Sequence, residues 1–219
     1  MERRNLYIRT RGHALRPNRQ ALLDDALPAR RLAGVTREEN PARAPVAAPS
    51  PLWLEVGFGS GEHLTETARR HPDVTHLGAE VFVNGVAALL AKLAAEPLPN
   101  VLIHPGDARD LLEVLPEGSL GRAYLLYPDP WPKARHHRRR FVSPEPLALL
   151  RRALQPGAEL RVATDVPDYM RQAVEEGQAA GFETAGPGAA PWDGWTPTRY
   201  EAKALREGRA PAYAVFRRP

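Results

Sequence analysis

The sequence predicts an α/β fold built on a doubly wound, mostly parallel sheet of seven strands. Three observations indicate this fold: short apolar runs alternate with amphipathic stretches, the links between them are short, and glycine or proline marks several boundaries. Alternating strands and helices with short connections are typical of a parallel sheet that helices cover on both faces. The 219 residues suffice for one such domain.

The first half of the predicted domain holds three strands and two helices. Leu52–Val56 is a short apolar run that ends in a glycine-rich turn. The first helix stops at His71-Pro72, because proline cannot continue it, and the second carries apolar residues near a 3.6-residue period. The strands are predicted at 52–56, 75–80 and 101–104, and the helices at 62–70 and 83–95.

The second half continues the alternation with shorter elements. Pro156-Gly157 closes one helix and precedes the next apolar run. The strands are predicted at 122–127, 159–163, 182–184 and 213–216, and the helices at 146–154, 166–180 and 200–207.

Residues 1–50 are predicted to form a basic, proline-rich N-terminal arm that is partly flexible, and residues 51–219 form the folded domain. Within the arm, residues 41–51 contain four prolines and cannot form helix or sheet ladders. A short helix is expected near residues 19–23.

Positive charge is concentrated in two segments. The chain has 27 Arg and 3 Lys, with a formal net charge of +4. Residues 1–43 carry a net charge of +5 and residues 133–140 another +5, so the remainder is acidic. Basic segments attached to an acidic body favour a polyanionic partner, with nucleic acid as the leading candidate.

Several classes of protein are disfavoured. The absence of cysteine excludes disulfides and thiolate metal sites, and the seven histidines show no metal-ligand spacing. No apolar run approaches the roughly 18 residues of a membrane span, and the N-terminus lacks the apolar core of a signal peptide. We therefore expect a cytoplasmic protein with no metal and no membrane partner, as a monomer or a homodimer.

A glycine-rich turn, Gly57-Phe58-Gly59-Ser60-Gly61, follows the first strand and opens the first helix. Glycine there lets the backbone turn sharply and approach a ligand closely. Glu62 stands where the dinucleotide fingerprint has its third glycine or alanine, so the motif alone fits either a small-molecule site or a simple strand–helix turn.

Four carboxylates fall at the ends of the first four strands, where ligands bind in such sheets. They would repel a pyrophosphate but suit a cationic ligand rich in hydroxyl and amino donors. S-adenosyl-L-methionine has a sulfonium, a ribose diol and two amino groups, and an acid 19 residues beyond Gly61 is placed to bind ribose hydroxyls. The four acids are Glu55, Glu80, Asp107 and Asp129.

The turn Pro128-Asp129-Pro130-Trp131-Pro132 runs directly into the basic segment 133–140. An acid at the mouth of a sheet beside a run of one charge sign suggests chemistry on a nucleic acid. We expect this segment to neutralise phosphates, and Trp131 either stacks on a base or packs at the rim of the core.

The motifs together resemble the bacterial tRNA (guanine-N7)-methyltransferase family, which methylates a guanosine in the variable loop of tRNA. The resemblance covers residues 52–216, with a weaker similarity at Arg9–Gly12, and it implies a Rossmann-like methyltransferase fold. Its most specific part is Pro128–His136; Pro132 stands where the family often has His. The other matching segments are Leu54–Gly61, Leu77–Val81, Ala163–Asp165 and Thr198–Glu201.

The resemblance implies a role for each matching residue. Asp129 is the catalytic residue, and the cofactor is S-adenosylmethionine. The cofactor-binding residues are Glu55, Gly57, Gly59, Gly61, Glu80, Asp107 and Asp129; the substrate-binding residues are Lys133, Asp165, Thr198, Arg199, Tyr200 and Glu201; the RNA-binding residues are Arg135, His136, His137, Arg138, Arg139 and Arg140.

Local explanations exist beside these roles. Asp165 fits a helix N-cap, and Thr198–Glu201 fits the S/T-x-x-E capping box. For the whole chain, the alternatives are a nicotinamide-dependent oxidoreductase, a non-catalytic RNA-binding protein on the same fold, and a methyltransferase that acts on a different nitrogen.

The chemistry of guanine defines what Asp129 has to do. N7 carries no proton, so its lone pair can attack a methyl carbon without a general base. We therefore expect Asp129 to accept hydrogen bonds from guanine N1–H and N2–H₂ and to hold N7 in line with the sulfonium.

Overall fold

The computed structural model describes residues 10–219 and is organised around a six-stranded sheet. The strand order is β3-β2-β1-β4-β5-β6; the first five strands are parallel and β6 is antiparallel to β5. The carboxyl ends of β1 to β4 therefore meet along one edge. The strands are β1 Leu52–Val56, β2 Thr75–Ala79, β3 Val101–His104, β4 Leu120–Leu126, β5 Leu154–Thr164 and β6 Ala212–Arg217.

Helices cover both faces of this sheet, which confirms the predicted α/β class. Two apolar clusters lie on opposite faces: the smaller joins α2 and α3 to β3, and the larger joins α4, α5 and α6 to the central strands. The helices are α1 Pro17–Asp25, α2 Glu62–Arg70, α3 Val83–Ala95, α4 Ala108–Val114, α5 Pro144–Ala153, α6 Pro167–Ala179 and α7 Arg199–Arg206.

The prediction of a seventh strand is wrong. Residues 182–184 contribute a single bridge, between Glu183 and Arg217. Gly186, with a left-handed backbone at φ 87°, interrupts the pairing before the chain bridges β6 once more, between Gly188 and Tyr213. The sequence also gave no indication of α4, which begins directly after Asp107.

The described part of the arm, residues 10–50, lies against the domain. α1 packs on α3, and Val35 is 1% exposed within the larger apolar cluster. Arg43 donates to Glu113 at 2.9 Å, so one of the arm's positive charges is used in attachment. The first nine residues, including Arg9 of the weaker similarity, lie outside the described residues.

An aromatic segment covers the part of the sheet formed by β4, β5 and β6. Trp192 and Trp195 pack against Tyr213 of β6 with ring centroids 6.0 and 5.3 Å apart, and Tyr124 of β4 lies beneath them. None of the described helices is long and apolar enough to cross a membrane.

Candidate active site

A cavity of about 350 Å³ opens at the carboxyl ends of β1 to β4. Its size falls in the range of small-molecule sites. The residues that line it come from the loops after these four strands, from the basic segment and from the start of α7. They include Gly57, Gly59, Glu80, Phe82, Asp107, Arg109, Asp129, Trp131, Arg138, Arg139, Arg199 and Tyr200.

The glycine-rich turn forms the floor of the cavity. Gly57 has φ 71°, a left-handed conformation that a side chain would strain, and it lies directly on the lining. Gly85 of α3 lets this helix approach closely, since a Cβ there would lie 2.3 Å from the carbonyl oxygen of Gly59. Gly61 does not line the cavity; it caps α2 beside Leu89.

Glu80, directly after β2, joins two segments of the lining. Its carboxylate accepts from the amide of Gly59 at 2.7 Å and from the amide of Phe82 at 2.9 Å. Burial raises its pKa, while these two N–H donors act in the opposite direction and Asp129 adds a second negative charge. Its remaining lone pairs are available to hydroxyl donors in the cavity.

Asp107 has a local role beside its place on the lining. It is the N-cap of α4 and accepts from the Arg109 amide at 2.9 Å, and its carboxylate also binds the Arg109 guanidinium. Arg109 was not identified from the sequence, because a cation two residues after an acid carries no specific signal. Arg109 brings a positive charge to the lining, where it pairs with Asp107 and lies 3.8 Å from Glu145.

Glu55 lies beneath the glycine turn, outside the cavity. Its carboxylate is 4% exposed and contacts Nδ1 of His63 at 2.7 Å. Since side chains alternate along a strand, Glu55 points to the face that α2 covers. In this structure Glu55 supports the turn from below, and its direct contact with the cofactor stays a prediction.

Asp129 stands at the open side of the cavity on the turn that follows β4. Two residues of this stretch, Tyr127 with φ 48° and Trp131 with φ 44°, adopt the left-handed region that side chains disfavour. Within residues 10–219, no group donates a hydrogen bond to the Asp129 carboxylate. Partial desolvation raises the pKa of this carboxyl above its usual value.

The basic segment divides between surface and interior. Lys133, Arg135 and Arg138 are exposed, whereas Arg139 lies with its guanidinium 4.9 Å from the Trp131 ring. The His136 ring stands perpendicular to the same indole, with the two ring centroids 5.9 Å apart. Trp131 is thus packed among basic side chains.

Two further members of the segment turn toward α6. His137 lies 3.3 Å from Asp168, and Arg140 has no exposed side-chain surface and contacts Asp168 at 2.9 Å. A fully buried guanidinium cannot meet a phosphate, so the expectation that Arg140 binds RNA is corrected.

The start of α7 closes the cavity on the other side. The predicted capping box is present: Thr198 accepts from the Glu201 amide at 3.1 Å, and Glu201 accepts from the Thr198 amide. Both residues are buried, whereas Arg199 and Tyr200 are exposed on the lining. Arg199 donates to the Tyr200 hydroxyl at 3.0 Å.

Two expected substrate residues do not line the cavity. Lys133 is exposed beyond the turn, and Asp165 forms an ion pair with Arg209. No group of three or more His, Asp or Glu among the described residues is arranged to hold a metal ion.

The lining suits S-adenosylmethionine. The free acceptor positions of Glu80 and the negative charge of Asp129 match hydroxyl donors and a sulfonium, and the open floor at Gly57 leaves space against the backbone, since a Cβ there would meet nothing within 4 Å. These properties follow from the residues that line the cavity.

The known proteins that this chain resembles are methyltransferases. The family described as putative methyltransferase matches residues 49–213. A tRNA (guanine-N(7)-)-methyltransferase of Paracoccus denitrificans is 54% identical over 99% of this chain and 95% of its own length; one of Ruegeria pomeroyi is 52% identical over 99% and 95%. The solved 16S rRNA methyltransferase KamB, with 20% identity and a TM-score of 0.58, covers 86% of this chain and 98% of its own, which shows the same fold.

Proposed function

The chain belongs to the tRNA (guanine-N7)-methyltransferase family, and we propose that it transfers a methyl group from S-adenosylmethionine to N7 of a guanosine in the tRNA variable loop. The observation that carries this proposal is the placement of Asp129 on one cavity between the glycine-turn lining and the exposed cations of the basic segment. The relatives favour this activity over an oxidoreductase or a non-catalytic RNA-binding protein.

The cofactor is held by the loops after β1, β2 and β3. Glu80 accepts from the ribose hydroxyls, the backbone at Gly57 and Gly59 receives the methionine end, and Asp107 lies at the adenine side with Arg109 as its neighbour. When bound, S-adenosylmethionine supplies an electrophilic methyl group on a positively charged sulfur. The protein's task is to bind it and to present the guanine to it.

Asp129 presents the guanine. Its carboxylate accepts from N1–H and N2–H₂, and this pair of hydrogen bonds fixes the ring so that N7 faces the methyl carbon. No proton leaves N7 in the reaction, so Asp129 acts by orientation. When N7 takes the methyl group, the bond from the methyl group to sulfur would break and S-adenosylhomocysteine would leave as a neutral thioether. The positive charge would pass to the purine, where the nearby carboxylate stabilises it.

The tRNA backbone lies along the exposed cations at the rim of the cavity. Lys133, Arg135 and Arg138 lie on one side, and Arg199 with Tyr200 lies on the other. Such cations bind phosphates without reading sequence, and Tyr200 offers a ring face to a base. We further place the protein in the cytoplasm with its substrate, as a monomer or a homodimer.

A methylation assay tests the proposal. Unmodified tRNA is incubated with radiolabelled S-adenosylmethionine, and the product is mapped by strand cleavage at N7-methylguanosine. The proposal predicts one cleavage in the variable loop. Label at another position or nitrogen, or no transfer to tRNA, contradicts it.

A further inference from the structure

Arg140 ends the basic segment, yet its side chain is fully buried. An arginine is almost never buried in this way unless its donors are all engaged. Its partners therefore indicate what the residue does.

The guanidinium of Arg140 binds the turn that carries Asp129. Its Nε donates to the carbonyl of Pro130 at 2.8 Å, and its Nη2 lies 3.4 Å from the carbonyl of Trp131. These carbonyls belong to the two residues that follow Asp129, so the guanidinium contacts the backbone of the turn itself.

The other side of the guanidinium binds α6. Nη1 donates to Oε1 of Gln172 at 3.0 Å, and Nη2 contacts Oδ2 of Asp168 at 2.9 Å. The ring of Tyr169, from the same helix, lies 5.2 Å beneath the guanidinium. Arg140 therefore fixes the turn to a helix that is packed on the sheet.

The turn needs such support. Pro130 and Pro132 have no backbone N–H, so ladder hydrogen bonds cannot hold it, and Trp131 adopts a left-handed backbone. A strained conformation persists only where its surroundings determine it. The planar fork of arginine directs its donors toward two carbonyls and a carboxylate in fixed directions, whereas the single ammonium of lysine lacks this geometry.

We propose that Arg140 is the positioning residue for Asp129: it clamps the turn between α6 and the cavity and so sets the location of the carboxylate that orients the guanine. The inference rests on the proposed function. Arg140 borders the cavity, but its donors are engaged by the turn and by α6, so it acts through Asp129.

The test measures single-turnover methylation of unmodified tRNA at saturating tRNA, together with the tRNA Kd. Arg140→Lys keeps the charge and loses the fork, so we expect the methylation rate to fall at least tenfold while the tRNA Kd and its salt dependence stay unchanged. Arg151→Lys, at an arginine outside the cavity whose Nε also lies near a backbone carbonyl, that of Gly181, is the matched control and keeps the wild-type rate. A normal rate in Arg140→Lys, or a weaker Kd with an unchanged rate at saturation, overturns the inference.

A second variant covers the case in which Arg140→Lys does not fold. Asp168 is 44% exposed, so Asp168→Asn removes the negative charge beside Arg140 without replacing a fully buried side chain. We expect a lower rate with the same tRNA Kd; an unchanged rate overturns the inference. Arg171→Gln removes another partner of Asp168 and serves as its control, with a normal rate expected.

A double variant separates positioning from general damage. If Arg140 acts through Asp129, Arg140→Lys slows Asp129→Ala by less than twofold, whereas independent effects multiply. Wild-type protein that fails to methylate tRNA contradicts the proposed function; active wild type with multiplicative variants contradicts only the role of Arg140.

Discussion

The amide of Gly59 donates to the carboxylate of Glu80 at 2.7 Å, and this bond links the turn after β1 to the end of β2. The carbonyl of Gly59 lies so close to α3 that only glycine fits at position 85. The turn after β1, the end of β2 and α3 thus meet at one residue. The cofactor side of the cavity is built by the backbone before any ligand binds.

Replacing Glu80 tests this link. Glu80→Gln places an NH₂ group opposite one of the two amide donors, and an unsatisfied buried N–H costs about 1–3 kcal/mol. We expect a lower free energy of unfolding and at least tenfold weaker binding of S-adenosylhomocysteine, measured by calorimetry. Glu62→Gln, at a half-buried carboxylate outside the cavity that pairs with Lys92, should change neither, and a Glu80→Gln protein with wild-type affinity would disprove the assignment.

Asp129 should be dispensable for folding. Its carboxyl pKa is raised in the folded protein, so wild-type stability falls as the pH rises from the unfolded-state pKa through this raised value. Asp129→Asn removes that cost, and at pH 7 the variant should be at least as stable as wild type in urea. Turnover should fall on the order of 100-fold, with unchanged affinity for S-adenosylhomocysteine, which lacks the sulfonium charge. A destabilised variant or near-native turnover speaks against the account.

The basic segment should determine the salt dependence of tRNA binding. Each phosphate contact contributes about 0.7–0.9 to the slope of log K against log salt concentration. Replacing Lys133, Arg135 and Arg138 together by Gln should therefore reduce the slope by about 2. Filter binding measures this slope between about 50 and 200 mM salt, the range in which phosphate contacts dominate the salt dependence.

The control removes the same charge from the opposite edge of the sheet. Arg70, Arg151 and Arg217 replaced by Gln should leave the slope unchanged. Equal slopes for both triple variants contradict the assignment of the RNA-binding surface.

His76 should make the protein sensitive to mild acid. Burial lowers its pKa to about 4, well below the usual value of 6.5. The unfolded chain binds this proton first, so stability is lost as the pH falls from 6.5 toward 4, by about 2 kcal/mol at pH 5. His76→Phe keeps the ring contact with Trp53. Between pH 7 and pH 5, its free energy of unfolding in urea titrations should fall by about 2 kcal/mol less than that of wild type. Equal losses in both proteins refute it.

Features with strong local patterns were predictable from the sequence. The glycine turn between β1 and α2 and the capping box of Thr198 with Glu201 occur as the residues indicated. At Asp107 the local pattern does not decide the role, because an acid directly after a strand suits both a ligand contact and a helix cap. The structure adds the cap and the Arg109 contact, and with them α4.

The remaining features depend on distant partners. Arg140 meets Asp168, 28 positions later, and a run of one charge sign gives no indication that its last member turns inward. Glu55 likewise meets His63 across the strand–helix junction, on the face away from the cavity. The prediction of a seventh strand at residues 182–184 is wrong because three residues beside apolar neighbours resemble a strand in the sequence but form only one bridge to β6.

The most direct test of the orienting role of Asp129 is a cycle with inosine, which lacks the 2-amino group, at the target position of the tRNA. Single-turnover rates are measured for wild type and Asp129→Ala on guanosine and inosine substrates. The account predicts that wild type slows at least tenfold on inosine, whereas Asp129→Ala methylates both at nearly the same rate. An equal loss in both proteins would show that Asp129 does not hold the guanine edge.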